Sequence, residues 1–136
     1  MIYLDSAAVV KLVRQEECSP DLVAWLNTHD DAPLVSSALA EVEVPGAPRR
    51  SAPQALIGVP AAVGRLFRLE IDNTIRATAA AFAEPTLRSL DAIHVATAQV
   101  LTNESGTTLT AFATYDRRLL ESAKAAGLPT ASPGQN

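Results

Sequence analysis

The central motif of the chain reads Ser89-Leu90-Asp91-Ala92-Ile93-His94-Val95-Ala96-Thr97-Ala98. Its apolar side chains recur at helical spacing, and Val100 and Leu101 continue the pattern, which predicts a helix over residues 89–102. Ser89 is the predicted N-cap. Asp91 falls in the first turn, where free N–H groups and the helix dipole favour a carboxylate. Asp91 either only stabilises this helix or belongs to a site, and other acidic residues bear on that choice.

Two further aspartates follow predicted strands directly. Asp5 comes after the apolar run Ile2-Tyr3-Leu4, and Asp116 comes just after a predicted strand over residues 109–114. Ligands of open α/β sheets bind outside the carboxyl ends of the strands. Asp5 therefore either lies in such a site or merely caps the helix predicted for residues 6–14.

A pair of glutamates lies on the helix predicted to begin at residue 38, after a strand over residues 33–37. Glu41 and Glu43 are two residues apart and point about 200° apart on a helix, so only one can face a given site. Pro45, Gly46 and Pro48 follow, and this cluster predicts that the helix ends or kinks near Val44.

The remaining elements complete an alternation of strands and helices. Ser19 is the predicted N-cap, and Pro20 the first residue, of a helix that ends near residue 27. Further strands are predicted at 66–71 and 128–131, further helices at 75–83 and 116–127, and a short broken helix within 51–64. This order predicts a three-layer α/β/α domain with a mostly parallel central sheet of about five strands. Residues 1–136 form one predicted domain, and 132–136 a flexible tail.

Composition excludes several classes of protein. The net charge is −4, which argues against a protein that holds nucleic acid by bulk charge, although not against an enzyme with a few local arginines. The single cysteine, Cys18, rules out an internal disulfide and fits a reducing compartment. The chain shows no export signal and no apolar run long enough to span a membrane, so a cytoplasmic protein is expected.

The acids would repel one another if they met at one sheet edge, unless a cation lay between them. Oxygen ligands without cysteine or histidine favour Mg²⁺ or Mn²⁺. Such ions polarise phosphoryl oxygens and activate water, which predicts hydrolysis of a phosphodiester. A metal-free mechanism would need the only two histidines, His29 and His94, to lie together. His94 is predicted to be a half-buried helix residue rather than a catalyst.

Four stretches resemble PIN-domain ribonucleases, most closely the VapC-type toxins of bacterial toxin–antitoxin pairs. They are residues 2–11, 35–50, 87–98 and 114–119, and they occur in the order found in that family. The resemblance implies a divalent-metal-dependent endoribonuclease with RNA as its substrate. It also implies a cognate antitoxin that blocks the acidic pocket, often with a basic side chain. Homodimers are usual in the family, and a heterotetramer or larger assembly with the antitoxin is expected.

The resemblance assigns roles to individual residues. The family's first, third and fourth acids fall on Asp5, Asp91 and Asp116, which would hold one ion. The second acid falls on Glu43, for a second ion or the attacking water, with Glu41 as the fallback. Ser6 and Thr114 match supporting polar positions, and the arginines that would contact RNA are Arg49, Arg50, Arg117 and Arg118. The Pro45–Pro48 cluster departs from the continuous helix usual at this point in the family.

Two other functions remain open. A catalytically impaired PIN-like binding module would use the acids only as helix caps. A haloacid-dehalogenase-like phosphatase also has an Asp at the end of its first strand, but it needs a second Asp two residues on. That position is Ala7 here.

Overall fold

The computed structural model describes residues 1–135. Its five strands are β1 (Ile2–Leu4), β2 (Leu34–Ser37), β3 (Phe67–Leu69), β4 (Ala111–Ala113) and β5 (Thr130–Ala131). They form one sheet in the order β3-β2-β1-β4-β5, and every neighbouring pair is parallel. β1 is therefore the central strand, and the predicted parallel α/β architecture is confirmed.

Seven α-helices connect the strands. They are α1 (Ser6–Val13), α2 (Ser19–Thr28), α3 (Ala40–Ser51), α4 (Val59–Gly64), α5 (Asn73–Ala80), α6 (Ser89–Ser105) and α7 (Arg117–Ala125). A 3-10 helix, Pro53–Gly58, precedes α4 and accounts for the broken helix predicted there. Among the described helices, none is both long and apolar enough to cross a bilayer.

The central strand divides the core into two layers. Ile2, Tyr3 and Leu4 are completely buried, as expected for a parallel strand covered on both faces. Ile2 and Leu4 pack with apolar residues of α1 to α4. Tyr3 points to the other face, where it stacks on Phe112 with 4.9 Å between ring centroids and joins residues of α6 and α7. Asp5 thus follows directly after a completely buried strand and is itself buried.

Two predicted helix caps are wrong. Ser89 is the first residue of α6, and Arg88 occupies the N-cap position without a side-chain capping bond. Ser19 is likewise the first residue of α2, behind Cys18 in a left-handed conformation with φ of 69°. The Ser19 hydroxyl instead accepts a hydrogen bond from the backbone N–H of Glu16 at 2.9 Å, so it organises the preceding loop.

An end or a kink of the helix was predicted near Val44, and of these two the end is wrong. Helix α3 continues to Ser51 through Pro45, Gly46 and Pro48. Each proline removes one helical N–H donor, but Val44 and Pro48 are both buried and Val44 belongs to the core layer that includes α1. Tertiary packing of an apolar face supplies most helical stability in proteins, and here it outweighs the lost hydrogen bonds.

The segment after β5 is anchored rather than free. The Ser132 hydroxyl donates to the Thr114 carbonyl at 2.6 Å, and the Tyr115 hydroxyl donates to the Pro133 carbonyl at 2.8 Å. Gly134 has φ of 87° and lies so close to Asp21 that a Cβ would collide with that carboxylate. Residues 132–134 thus contact the rest of the domain, the flexible tail over 132–136 stays a prediction, and Asn136 lies outside the described residues.

Candidate active site

Asp5 lies at the carboxyl end of β1 and is 3% exposed. Its Oδ1 accepts the backbone N–H of Ala8 at 2.8 Å, so Asp5 does cap α1. Its Oδ2 accepts the hydroxyl of Thr114 at 2.6 Å. Burial raises the pKa of Asp5, and the opposing effects of His94, Thr114 and Ala8 do not cancel that increase. The two interpretations of Asp5 are thus compatible, because capping uses only one of its oxygens.

Thr114 connects two of the acids. While its hydroxyl donates to Asp5, its oxygen accepts the backbone N–H of Asp116 at 3.1 Å. Asp116 in turn caps α7, since its Oδ1 accepts the N–H groups of Arg118 and Leu119 at 2.9 and 3.3 Å. The β1–β4 register, which pairs Leu4 with Ala113, places Asp5 and Thr114 side by side. Asp116 follows two residues later.

Asp91 joins this group through Arg88, a residue that the sequence analysis missed. The Arg88 Nε lies 3.1 Å from Asp91 Oδ2, and its Nη2 lies 3.0 Å from Asp116 Oδ2. These contacts raise the pKa of the Arg88 guanidinium, the hydrogen bond to Asp91 most of all. Arg88 thus serves as an internal counter-ion between two carboxylates. The available signal was its position three residues before Asp91, the spacing of helical ion pairs.

Glu43 is the fourth acid at this edge. Its Oε1 accepts the Ser6 hydroxyl at 2.6 Å and lies 2.9 Å from the His94 Nε2. Burial raises the pKa of Glu43, but the hydrogen bonds from His94 and Ser6 outweigh it, and the pKa falls below its ordinary value. Glu41 is exposed and contacts Arg68 at 3.6 Å instead. The structure therefore brings Glu43, and not Glu41, to Ser6.

His94 is more buried than predicted, with 2% of its surface exposed. Its Nδ1 lies 2.7 Å from the Tyr3 hydroxyl, and its Nε2 faces Glu43 and, at 3.3 Å, the Ser6 Oγ. The prediction of a half-buried side chain is wrong. Tyr3 also belongs to the site, although the sequence pattern identified it only as an apolar strand residue.

The arginines proposed for RNA contact lie at two places. Arg49 and Arg50 are exposed and line a surface hollow together with Glu43. Arg117 and Arg118 are exposed in the first turn of α7, directly after Asp116. All four side chains are thus available to solvent, and two of them border the hollow next to an acid.

The donor set fits a hard divalent cation in its chemistry. Four carboxylates from separate elements gather at one edge, and oxygen ligands of this kind suit Mg²⁺ or Mn²⁺. Within residues 1–135, no three acidic, histidine or cysteine side chains are already arranged around one point as metal ligands. The guanidinium of Arg88 occupies the space between Asp91 and Asp116. In this structure Asp91 and Asp116 are therefore paired with a guanidinium.

Fold and site together define a parallel α/β protein with acidic side chains grouped at the carboxyl edge of its sheet. The family profile named PIN domain matches residues 2–125, and the chain belongs to the PIN-domain family. Over 135 residues it is 50% identical to Ribonuclease VapC35 of Mycobacterium tuberculosis (strain ATCC 25618 / H37Rv), covering 99% of this chain and 98% of that protein. It is 39% identical over 132 residues to Ribonuclease VapC46 of the same strain, covering 97% of each. Within the family the chain is thus of the VapC type.

Proposed function

We propose that this protein is a metal-dependent endoribonuclease that acts as the toxin of a toxin–antitoxin pair. The observation that carries the proposal is the meeting of Asp5, Glu43, Asp91 and Asp116 at one edge, although they come from four separate parts of the chain. This chain matches the two VapC relatives over nearly their full length, and both are named as ribonucleases. Their names support the same class of reaction.

The acids have distinct roles in this proposal. Bound Mg²⁺ or Mn²⁺ would supply a Lewis acid for the phosphoryl oxygen and a water of lowered pKa. Asp5, Asp91 and Asp116 would hold one ion, once Arg88 has moved away from its two partners. Glu43 would orient the attacking water or a second ion. Thr114 and Ser6 act on the acids themselves, since each donates a hydrogen bond of 2.6 Å to a carboxylate.

The proposed partners follow from charge. The exposed side chains of Arg49, Arg50, Arg117 and Arg118 would contact the RNA backbone. A cognate antitoxin would insert a basic side chain among the acids. The contacts of Arg88 support this step, because they show that the pocket accepts a guanidinium. We further propose a homodimer, a heterotetramer or larger complex with the antitoxin, and a cytoplasmic location.

The alternatives are distinguishable. Membership of the PIN-domain family gives no support to the phosphatase. A catalytically impaired binding module remains the second candidate, because Pro45, Gly46 and Pro48 lie on the helix that carries Glu43. That helix is continuous, and Glu43 makes two site contacts, which favours the enzyme.

The test is cleavage of RNA by the purified, antitoxin-free protein with Mg²⁺ or Mn²⁺. We expect cleavage that EDTA stops, and a loss of about 100-fold or more in Asp91→Asn and Glu43→Gln if these groups act in the transition state. Glu41→Gln is the matched control, since Glu41 lies on the same helix and, among the described residues, its carboxylate pairs with Arg68. Cleavage that persists in EDTA or in Asp91→Asn would refute the proposal. An absence of both cleavage and metal binding would favour the binding module.

A further inference from the structure

We infer that His94 is a positioning residue that holds one oxygen of Glu43 and thereby presents the other to the acidic pocket. The inference rests on the proposed function, because it assigns His94 a part in the reaction that Glu43 serves. His94 itself would not touch the substrate, since it is buried behind Ser6 and Glu43.

Three polar atoms form a triangle, namely Glu43 Oε1, Ser6 Oγ and His94 Nε2. Ser6 Oγ lies 2.6 Å from Oε1, His94 Nε2 lies 2.9 Å from Oε1, and the Ser6 Oγ and His94 Nε2 are 3.3 Å apart. Glu43 thus receives two hydrogen bonds on the same oxygen. Among the described residues, its side-chain hydrogen bonds go to Oε1 alone. Oε2 is therefore left for a ligand or a water.

Tyr3 fixes the other side of the imidazole. Its hydroxyl is 2.7 Å from the His94 Nδ1. Burial raises the pKa of Tyr3 far above its ordinary value, so the hydroxyl keeps its proton. In the proposed arrangement this proton is donated to Nδ1, and Nε2 carries the ring hydrogen that Glu43 accepts. The chain Tyr3–His94–Glu43 then has one direction of donation.

The order of these contacts runs from the core to the pocket. Tyr3 is held by its stacking on Phe112 at 4.9 Å and meets the His94 ring edge-on at 5.9 Å. The imidazole therefore cannot rotate freely, and Glu43, whose side chain is 26% exposed, is oriented by a rigid group beneath it. Outer groups of this kind are worth about 10- to 100-fold in activity or metal affinity when they are removed.

The experiment combines kinetics with a spectroscopic readout. His94→Leu removes the donor and keeps an apolar side chain, whereas Tyr3→Phe keeps the stacking ring and removes only the hydroxyl. We expect kcat for Mn²⁺-dependent RNA cleavage to fall about 10- to 100-fold in His94→Leu, with KM nearly unchanged, and to fall less in Tyr3→Phe. His29→Gln is the matched control, because this second histidine contacts Trp25 and Thr28 instead, and it should behave as wild type.

Nitrogen NMR of histidine-labelled protein tests the contact without any catalysis. We expect the His94 signals of a ring protonated at Nε2 and accepting at Nδ1. We also expect Tyr3→Phe to shift mainly Nδ1 and Glu43→Gln mainly Nε2. The opposite tautomer, or a His94 signal that ignores Glu43→Gln, overturns the inference even if Tyr3→Phe and His94→Leu lower stability.

The positioning role of His94 and the nuclease activity can be refuted separately. If Glu43→Gln is inactive while a folded His94→Leu keeps its kcat, the positioning role is refuted and the nuclease proposal stands. If the wild-type protein does not cleave RNA but the NMR pattern is as expected, the nuclease proposal fails and the hydrogen-bonded contact to Glu43 stands.

Discussion

Thr114 offers the sharpest test of how the acidic edge is built, because one hydroxyl serves two acids. In Thr114→Val the side chain keeps its shape but loses the 2.6 Å bond to Asp5 and the 3.1 Å bond from the Asp116 N–H. Thr114 is completely buried, so water cannot replace the hydroxyl in place. A hydrogen bond to a charged group contributes about 1.5–3 kcal/mol, and an N–H left unpaired adds to the loss. We expect the free energy of unfolding to fall by about 2–4 kcal/mol.

The assay is urea unfolding in EDTA at pH 7, followed by the fluorescence of the single tryptophan, Trp25, which packs against the core. For a chain of this length the loss corresponds to about 6–12 °C in thermal midpoint. Thr114→Ser keeps the hydroxyl and loses one methyl group, which costs about 1 kcal/mol. A Thr114→Val protein within about 0.5 kcal/mol of wild type would refute the argument. A Thr114→Ser protein as unstable as Thr114→Val would show that packing, and not the hydroxyl, is responsible.

Three further predictions concern charge and backbone. Removing the counter-ion in Arg88→Ala should let Mn²⁺ bind the RNA-free protein several-fold more tightly by calorimetry, whereas Arg68→Ala should leave binding unchanged; weaker binding in Arg88→Ala would contradict the role of counter-ion. Burial raises the pKa of Asp5 in the folded protein. Protonation of Asp5 therefore stabilises the metal-free folded protein fully below the ordinary pKa of aspartate, and this stabilisation is lost as the pH rises through the raised pKa. In EDTA, the thermal midpoint of the wild type should therefore fall relative to that of Asp5→Asn as the pH rises from about 4 to 7; a difference that changes in the opposite direction would be the wrong sign. Pro45→Ala restores a helical N–H donor in α3 and should stabilise the protein by about 1–2 kcal/mol in urea unfolding; a less stable variant would show that the proline ring is needed for packing.

The strands and the acids that follow them were predictable because their signals are local. A short apolar run followed directly by an aspartate identifies the end of a buried strand, as at Asp5, and the order of elements then determines the class of fold. The resemblance to PIN-domain proteins selected Glu43 over Glu41, a choice that helical geometry alone left open.

Other features depend on contacts between distant segments, which a local pattern does not contain. His94 was expected to be half-buried, but the hydroxyl of Tyr3, 91 residues away in sequence, gives its ring a polar partner inside the core. No local sequence pattern predicts that Arg88 contacts Asp116 as well as Asp91, since Asp116 lies 28 residues further on. The proline cluster was expected to end or kink α3 near Val44, because propensity takes no account of the buried contacts that hold Val44 and Pro48.

The position of β4 in the sequence also determines how late during synthesis the acidic side chains can come together. β4 pairs with β1, although more than a hundred residues of chain separate them, and it delivers Thr114 and Asp116. A nascent polypeptide that stops before β4 holds Asp5, Glu43 and Asp91 but lacks Asp116 and the hydroxyl of Thr114. Translation is vectorial, and long-range parallel pairing is slow. The contacts that Thr114 and Asp116 make with the other acids therefore form only after nearly the whole chain has been synthesised.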